Sequence, residues 1–180
     1  MTSVLVVAKP SDKPLWDTIL RGLEPHYPTL LAANGILSLP AEPAKIIVSD
    51  IQTFHKLERG DTIVLFKNGE ALPPGILPPR HAIAVVNSCD ERALASASST
   101  KVPAITCGLS PRDTITLSSI ASDSAVINLQ RTVGCFDGTT AEPQEIPVKF
   151  GTPIDSFHLM ALACIFILCA DIPKLSNTFM

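Results

Sequence analysis

No part of this 180-residue chain concentrates positive charge. Its 14 Lys and Arg are scattered among 17 Asp and Glu, the net charge is −3, and only 5% of residues are aromatic. Nucleic acid calls for a basic patch interleaved with stacking rings, and an anionic membrane for a basic surface, so neither partner is expected. Charged residues make up 17% of the chain and apolar ones 46%, which excludes a disordered polymer. Long hydrophobic runs are also missing. The most apolar stretch, Phe157 to Ala170, falls short of the roughly 20 residues that cross a bilayer and reads as a core helix. The five cysteines (Cys89, Cys107, Cys135, Cys164, Cys169) contain no Cys-x-x-Cys pair, and their odd number points to reduced thiols. Met1 leads straight into a strand-like segment without a basic or apolar leader, so a cytoplasmic location is expected.

What is present is an alternation of short apolar runs with helical segments. Ser3–Ala8, Lys45–Val48, Thr62–Lys67, Ala82–Val86 and Val102–Thr106 read as buried strands, each ending in a polar or small-residue loop. Pro14 suits the first turn of a helix reaching about Leu23, and Glu91 to Ala97 forms a second helix. Residues 24–44, with four prolines and Asn34-Gly35, are expected to be a short helix or turn and then a loop. Asp50 to Leu57 reads as a helix or turn, and Asn68-Gly69 is a dipeptide favoured in tight hairpins. Prolines 73, 74, 78 and 79 forbid regular structure before the strand at Ala82.

Beyond Gly108 the period changes. Thr114–Ser119, Ala125–Gln130 and Glu145–Phe150 alternate partially between apolar and polar residues, the mark of an antiparallel meander with one solvated face. Ile154 to Cys169 is a helix apolar nearly all round, hence deep in a core or against another chain. The expected fold is α/β: one domain over residues 1–180, with a mostly parallel sheet flanked by helices, an antiparallel hairpin subdomain at about 109–150 and a C-terminal core helix. In such sheets ligands collect beyond the strand ends, where Asn87, Asp90 and Gly108 lie.

Four segments in succession carry a family resemblance. Ile46-Ile47-Val48-Ser49-Asp50-Ile51 leads to Phe54-His55. Val85-Val86 runs into Asn87-Ser88-Cys89-Asp90, and Ile105-Thr106-Cys107-Gly108 precedes the hairpins. Phe157-His158 opens the long helix, which is followed by Ala170-Asp171-Ile172-Pro173. In this order, from about Pro43 to Leu175, the chain resembles the central, ATP-binding domain of the Mur ligases, which add amino acids to peptidoglycan precursors. The resemblance implies a nucleotide site at the strand ends, with His55 near a metal and His158 near a purine.

The departures bear on chemistry. No G-x-x-x-x-G-K-[ST] motif occurs, and the loop where the family carries it, Lys9-Pro10-Ser11-Asp12-Lys13-Pro14, has two prolines and no glycine. Proline removes amide donors, and side chains block the close backbone approach that glycine permits. Lys13 can touch an anion, but this loop is not expected to wrap a triphosphate. The two asparagines of the family's helix motif are Leu159 and Leu162 here, and the family's flanking domains are not expected within 180 residues. Ligase activity is therefore not expected, and no residue is assigned a catalytic role.

Each candidate has a plainer reading. Asn87 and Asp90 suit a nucleobase or ribose, yet Asp90 equally suits the cap of the helix at Glu91. A lone His55 without carboxylate neighbours makes a poor metal site, and none is expected. His158 on so apolar a helix fits a packed, hydrogen-bonded role. Cys107 would need a nearby base and a lowered pKa to act as a nucleophile. Three functions stay open. The first is a non-catalytic Mur-ligase-like domain that binds a nucleotide-like ligand weakly, through Lys13, Asn87, Asp90, Gly108 and His158, or binds a protein partner. The second is a structural protein that self-associates through its C-terminal helix or a sheet edge. The third is a small hydrolase or transferase using Cys107. No tightly held cofactor is expected.

Overall fold

The computed structural model describes residues 1–9, 12–33, 35–51, 61–67, 69–73, 76–79 and 81–177. In chain order its elements begin with β1 (Thr2–Val7), α1 (Lys13–Leu23), β2 (Thr29–Ala33), β3 (Ile36–Ser38), β4 (Ile46–Asp50) and β5 (Thr62–Phe66). Next come β6 (Ile83–Asn87), α2 (Glu91–Ser99), β7 (Ala104–Cys107), β8 (Ile115–Ile120) and β9 (Ser124–Leu129). The chain continues with β10 (Val133–Gly134), β11 (Thr140–Ala141), β12 (Gln144–Lys149), α3 (Ser156–Leu168) and α4 (Ile172–Ser176). The fold is α/β, with mostly parallel strands. Two compact units share the chain: Met1–Lys13 with Tyr27–Ala104, and Pro14–His26 with Ile105–Met180.

In the first unit the strands run β6-β5-β1-β4-β2-β3, all parallel except β3, which turns back on β2. Continuous aliphatic runs make this arrangement, because a parallel strand is buried on both faces. All five residues of β5 are buried. One face packs Leu5, Val7, Val64, Phe66 and Val86 against Ala93 and Ala97 of α2, whose small side chains let the helix lie close to the strands. Because the strands are parallel, β1, β4, β5 and β6 all end at one edge.

Two expectations need correction here. Residues 24–44 contain β2 and β3, not merely a turn and a loop. Thr29-Leu30-Leu31-Ala32 gains a parallel ladder from β4, and tertiary pairing of this kind overrides the surrounding prolines. Gly35, at φ +75°, supplies the left-handed residue of the β2–β3 turn. Gly69 also has positive φ, +65°, but closes no hairpin, since β5 pairs only with parallel neighbours. The helix or turn read over 50–57 lies outside the described residues, apart from Asp50, which ends β4, and Ile51.

In the second unit β8, β9 and β12 form the expected antiparallel meander, and β7 joins β8 in parallel at Cys107 and Ile115. Burial alternates along β9 and β12, as a half-solvated sheet requires. Every residue of α3 from Phe157 to Leu168 is buried. A Cβ at Gly22 of α1 would overlap the side chain of Leu162, so glycine there sets how closely α1 and α3 pack. The rings of His26 and Phe166 meet edge to face, with centroids 5.7 Å apart. Both apolar faces of α3 are thus covered within this chain.

The ends of so buried a helix must also be satisfied. Asp155 accepts from the amides of Phe157 and His158 at 2.9 and 3.2 Å. At the other end the Asp171 and Ala170 amides donate back to Phe166 and Ile167, with Ala170 left-handed at φ +58°. The small β10–β11 ladder, which the sequence reading did not anticipate, completes the cap. Its neighbours Cys135 and Phe136 donate, through Sγ and the amide, to the carbonyls of Ile167 and Leu168 at 3.1 and 2.8 Å.

Candidate functional site

The carboxyl edge of the first unit's parallel strands is where a doubly wound sheet presents a ligand site. Asp12 follows β1, Asp50 ends β4, Lys67 follows β5 and Asn87 ends β6. Lys67 Nζ lies 3.0 Å from Asp12 Oδ2, and both side chains are largely shielded, 16% and 10% exposed. Asp50 is buried. Carboxylates therefore stand at two of the four strand ends, and a cation of this edge is already matched by one of them. The sequence reading missed this pair. A charged residue directly after a buried strand, Lys67, and an acid in the first strand's loop, Asp12, were the available signals.

The residues singled out from sequence have structural duties here. Asp90 caps α2, with Oδ1 accepting from the Ala93 amide at 3.0 Å. Its Oδ2 accepts from the Gly69 amide, also at 3.0 Å, tying the β5 exit to the α2 entry. Asn87 Oδ1 accepts from the Cys89 amide at 2.9 Å, closing a local turn. Lys13 is exposed at the first position of α1. His55 lies outside the described residues. Among the described residues no group of three potential ligating side chains could hold a metal ion, and no helix is long and apolar enough to cross a membrane.

Gly108 and His158 belong to the second unit. The Gly108 amide donates to the Ile115 carbonyl at 3.1 Å, continuing the β7–β8 pairing. His158 is buried in the first turn of α3, its Nε2 3.8 Å from Asp155 Oδ1. Cys107 is fully buried, 3.5 Å from Cys164 Sγ. The hydrogen bond to Cys164 and the burial push its thiol well above the ordinary value, and Asp113 adds to the rise. A nucleophilic cysteine needs the opposite shift and access to substrate.

Two clefts open on the second unit. One, of about 190 Å³, is lined by Asp17, Thr18 and Arg21 of α1 with Thr152 to Ile154. The other, of about 410 Å³, has Thr139, Thr140, Glu142 and Gln144 on its wall. Its one carboxylate, Glu142, already accepts from the Thr132 and Thr140 hydroxyls. Neither cleft contains a site residue read from the sequence.

The fold has counterparts of known structure. MurF ligase from Thermotoga maritima, solved in complex with ADP, aligns over 98% of this chain with a TM-score of 0.54 at 13% identity. UDP-N-acetylmuramate:L-alanyl-gamma-D-glutamyl-meso-diaminopimelate ligase from Neisseria meningitides aligns over 98% with a TM-score of 0.60 at 10% identity. The fold is Mur-ligase-like. UDP-N-acetylmuramoylalanyl-D-glutamyl-2,6-diaminopimelate–D-alanyl-D-alanyl ligase from Acinetobacter baumannii, at a TM-score of 0.58 and 12% identity, has it too. The chain spans 48%, 64% and 46% of these three proteins, respectively. It matches no family model and no curated protein.

Proposed function

We propose that this chain is a non-catalytic Mur-ligase-like domain that works through protein contact rather than nucleotide turnover. The ion pair of Lys67 with Asp12 carries the reading. Where a phosphate-binding loop would offer glycine amides and a cation aimed at the phosphates, this loop places a carboxylate that takes up Lys67, and its own Lys9 and Lys13 are exposed. The loop's two prolines and lack of glycine support the same conclusion. So do Asn87 and Asp90, whose carboxamide and carboxylate oxygens are engaged within the fold. In this reading nucleotide binding through Lys13, Asn87, Asp90, Gly108 and His158 is too weak to raise the melting midpoint. Thermal denaturation with ATP, ADP or a UDP-sugar, each with Mg²⁺, tests it. The expected result is an unchanged midpoint. A saturable rise with any of them, produced by mass action on the native state, overturns it.

A second reading, self-association, is favoured by one observation. β3 ends the strand order, and its Ile36 and Leu37, with Leu39 just beyond it, are more than half exposed. An apolar terminal strand is a template for pairing, and a second copy offers the same strand for a two-fold antiparallel contact. Sedimentation at several concentrations should show a dimer that Leu37→Lys dissociates. A monomer at all concentrations removes this reading.

A further inference from the structure

Two of the five cysteines meet in the interior. Cys107 is the last residue of β7 and Cys164 sits mid-way along α3; both are fully buried, with their sulfurs 3.5 Å apart. The contact joins positions 57 apart in sequence, so the chain between them contains the whole meander of β8, β9 and β12. The other three thiols differ in kind. Cys89 is exposed, Cys135 donates to the Ile167 carbonyl, and Cys169 is half-buried at the end of α3.

We propose that Cys107 and Cys164 are a redox cross-linking site, closed by a peroxide into a disulfide that clamps β7 to α3. The sulfurs need to approach by about 1.5 Å to reach bonding distance, within the range of side-chain rotation in a locally opened core. One thiolate attacks a peroxide oxygen, the O–O bond breaks, and a sulfenic acid forms as the departing hydroxide takes up a proton. The second thiolate then attacks the sulfenic sulfur, the S–O bond breaks, and hydroxide leaves to become water. Two thiols and one hydrogen peroxide thus give one disulfide and two waters, with two electrons passing from sulfur to oxygen. Hydrogen peroxide is small enough to enter through transient openings that exclude a bulky alkylating reagent. The hydrogen bond to its partner and its burial hold the proton on Cys107, so the closure is slow and reports sustained oxidant. A cross-link spanning so long a loop restricts the unfolded chain strongly, and the oxidised protein should melt several degrees higher.

The test uses the intact native chain in a Cys89→Ser background, which removes the exposed thiol. After peroxide treatment without denaturant, free thiols are blocked, the protein is digested unreduced, and the linked peptides are identified by mass spectrometry. The expected product joins Cys107 to Cys164, weighs two hydrogens less than the separate peptides, and accompanies a rise in melting temperature that dithiothreitol reverses. Cys164→Ala should abolish the product and the temperature shift together. Free Cys107 and Cys164 after prolonged peroxide, a cross-link to Cys135 or Cys169 instead, or a 107–164 link formed only in urea would each overturn the proposal. Because the wild-type pair is read directly, a variant that fails to fold leaves the test intact.

Discussion

α2 and α3 sit in different units and are stabilised in opposite ways. α2 buries only Ala93 and Ala97, and its entrance is fixed by one carboxylate that reaches both the Ala93 and the Gly69 amides. α3 buries every residue from Phe157 to Leu168 and has polar partners at both ends. The contrast teaches that a cap determines where a shallow helix begins, whereas a deep helix is held by packing and its cap only completes the backbone hydrogen bonding.

The sharpest way to break this comparison is to empty the α3 core. Phe166→Ala should cost about 3–5 kcal/mol in urea denaturation, the range for a fully buried aromatic. A loss near 1 kcal/mol would mean that α3 is not held by packing. Next, Gly22→Ala should cost about 1–3 kcal/mol, because the new methyl overlaps Leu162 and overpacking outweighs the gain in helix propensity. Gly134→Ala, with open space at its Cβ position, is the matched control and should stay close to wild type by the same measurement.

For α2 the prediction moves to the cap. Asp90→Ala should cost about 1–2 kcal/mol, since it removes two amide partners at once. Hydrogen exchange should then quicken first at Ala93 and Gly69; unchanged exchange at both would contradict the assignment. Ala170→Gly should act in the stabilising direction by roughly 1 kcal/mol, because alanine is strained in the left-handed position at the end of α3. The smallest effect is a titration. The Thr139 hydroxyl and amide donate to Asp137 and lower its carboxyl below the ordinary 3.8. A depressed folded value means that the contribution to stability is present above 3.8 and is lost as pH falls through the folded value. Carboxyl chemical shifts should therefore place the Asp137 midpoint below 3.8; a midpoint at or above it would contradict the hydrogen bonds.

Much of the fold was legible because period and burial agree. The aliphatic runs in Ser3–Ala8, Thr62–Lys67 and Ala82–Val86 read as buried strands, and the alternation in Ala125–Gln130 and Glu145–Phe150 as half-solvated ones, and β1, β5, β6, β9 and β12 form there. β2 and β3 were not legible, since their local signal is dominated by prolines and their strand state depends on β4, which follows later in the chain. Asn68-Gly69 misled in the opposite direction. A turn dipeptide reports local backbone freedom, not whether the next strand returns beside the previous one. Of the candidate site, the cap at Asp90 was readable from its place before the helix that opens at Glu91. The Asp12–Lys67 pair was not, because pairing side chains 55 positions apart requires knowing that β1 and β5 are neighbours.

By itself the sequence determined the class of each long element, the departure from a glycine-rich phosphate loop and the apolarity of α3, all of which follow from residue type and spacing. Only the tertiary structure decided which carboxylate meets which ammonium, that Asp90 serves two amides, and that Cys107 faces Cys164. Those are contacts between segments far apart in the chain, and they are set by strand order and helix depth, which residue spacing does not encode.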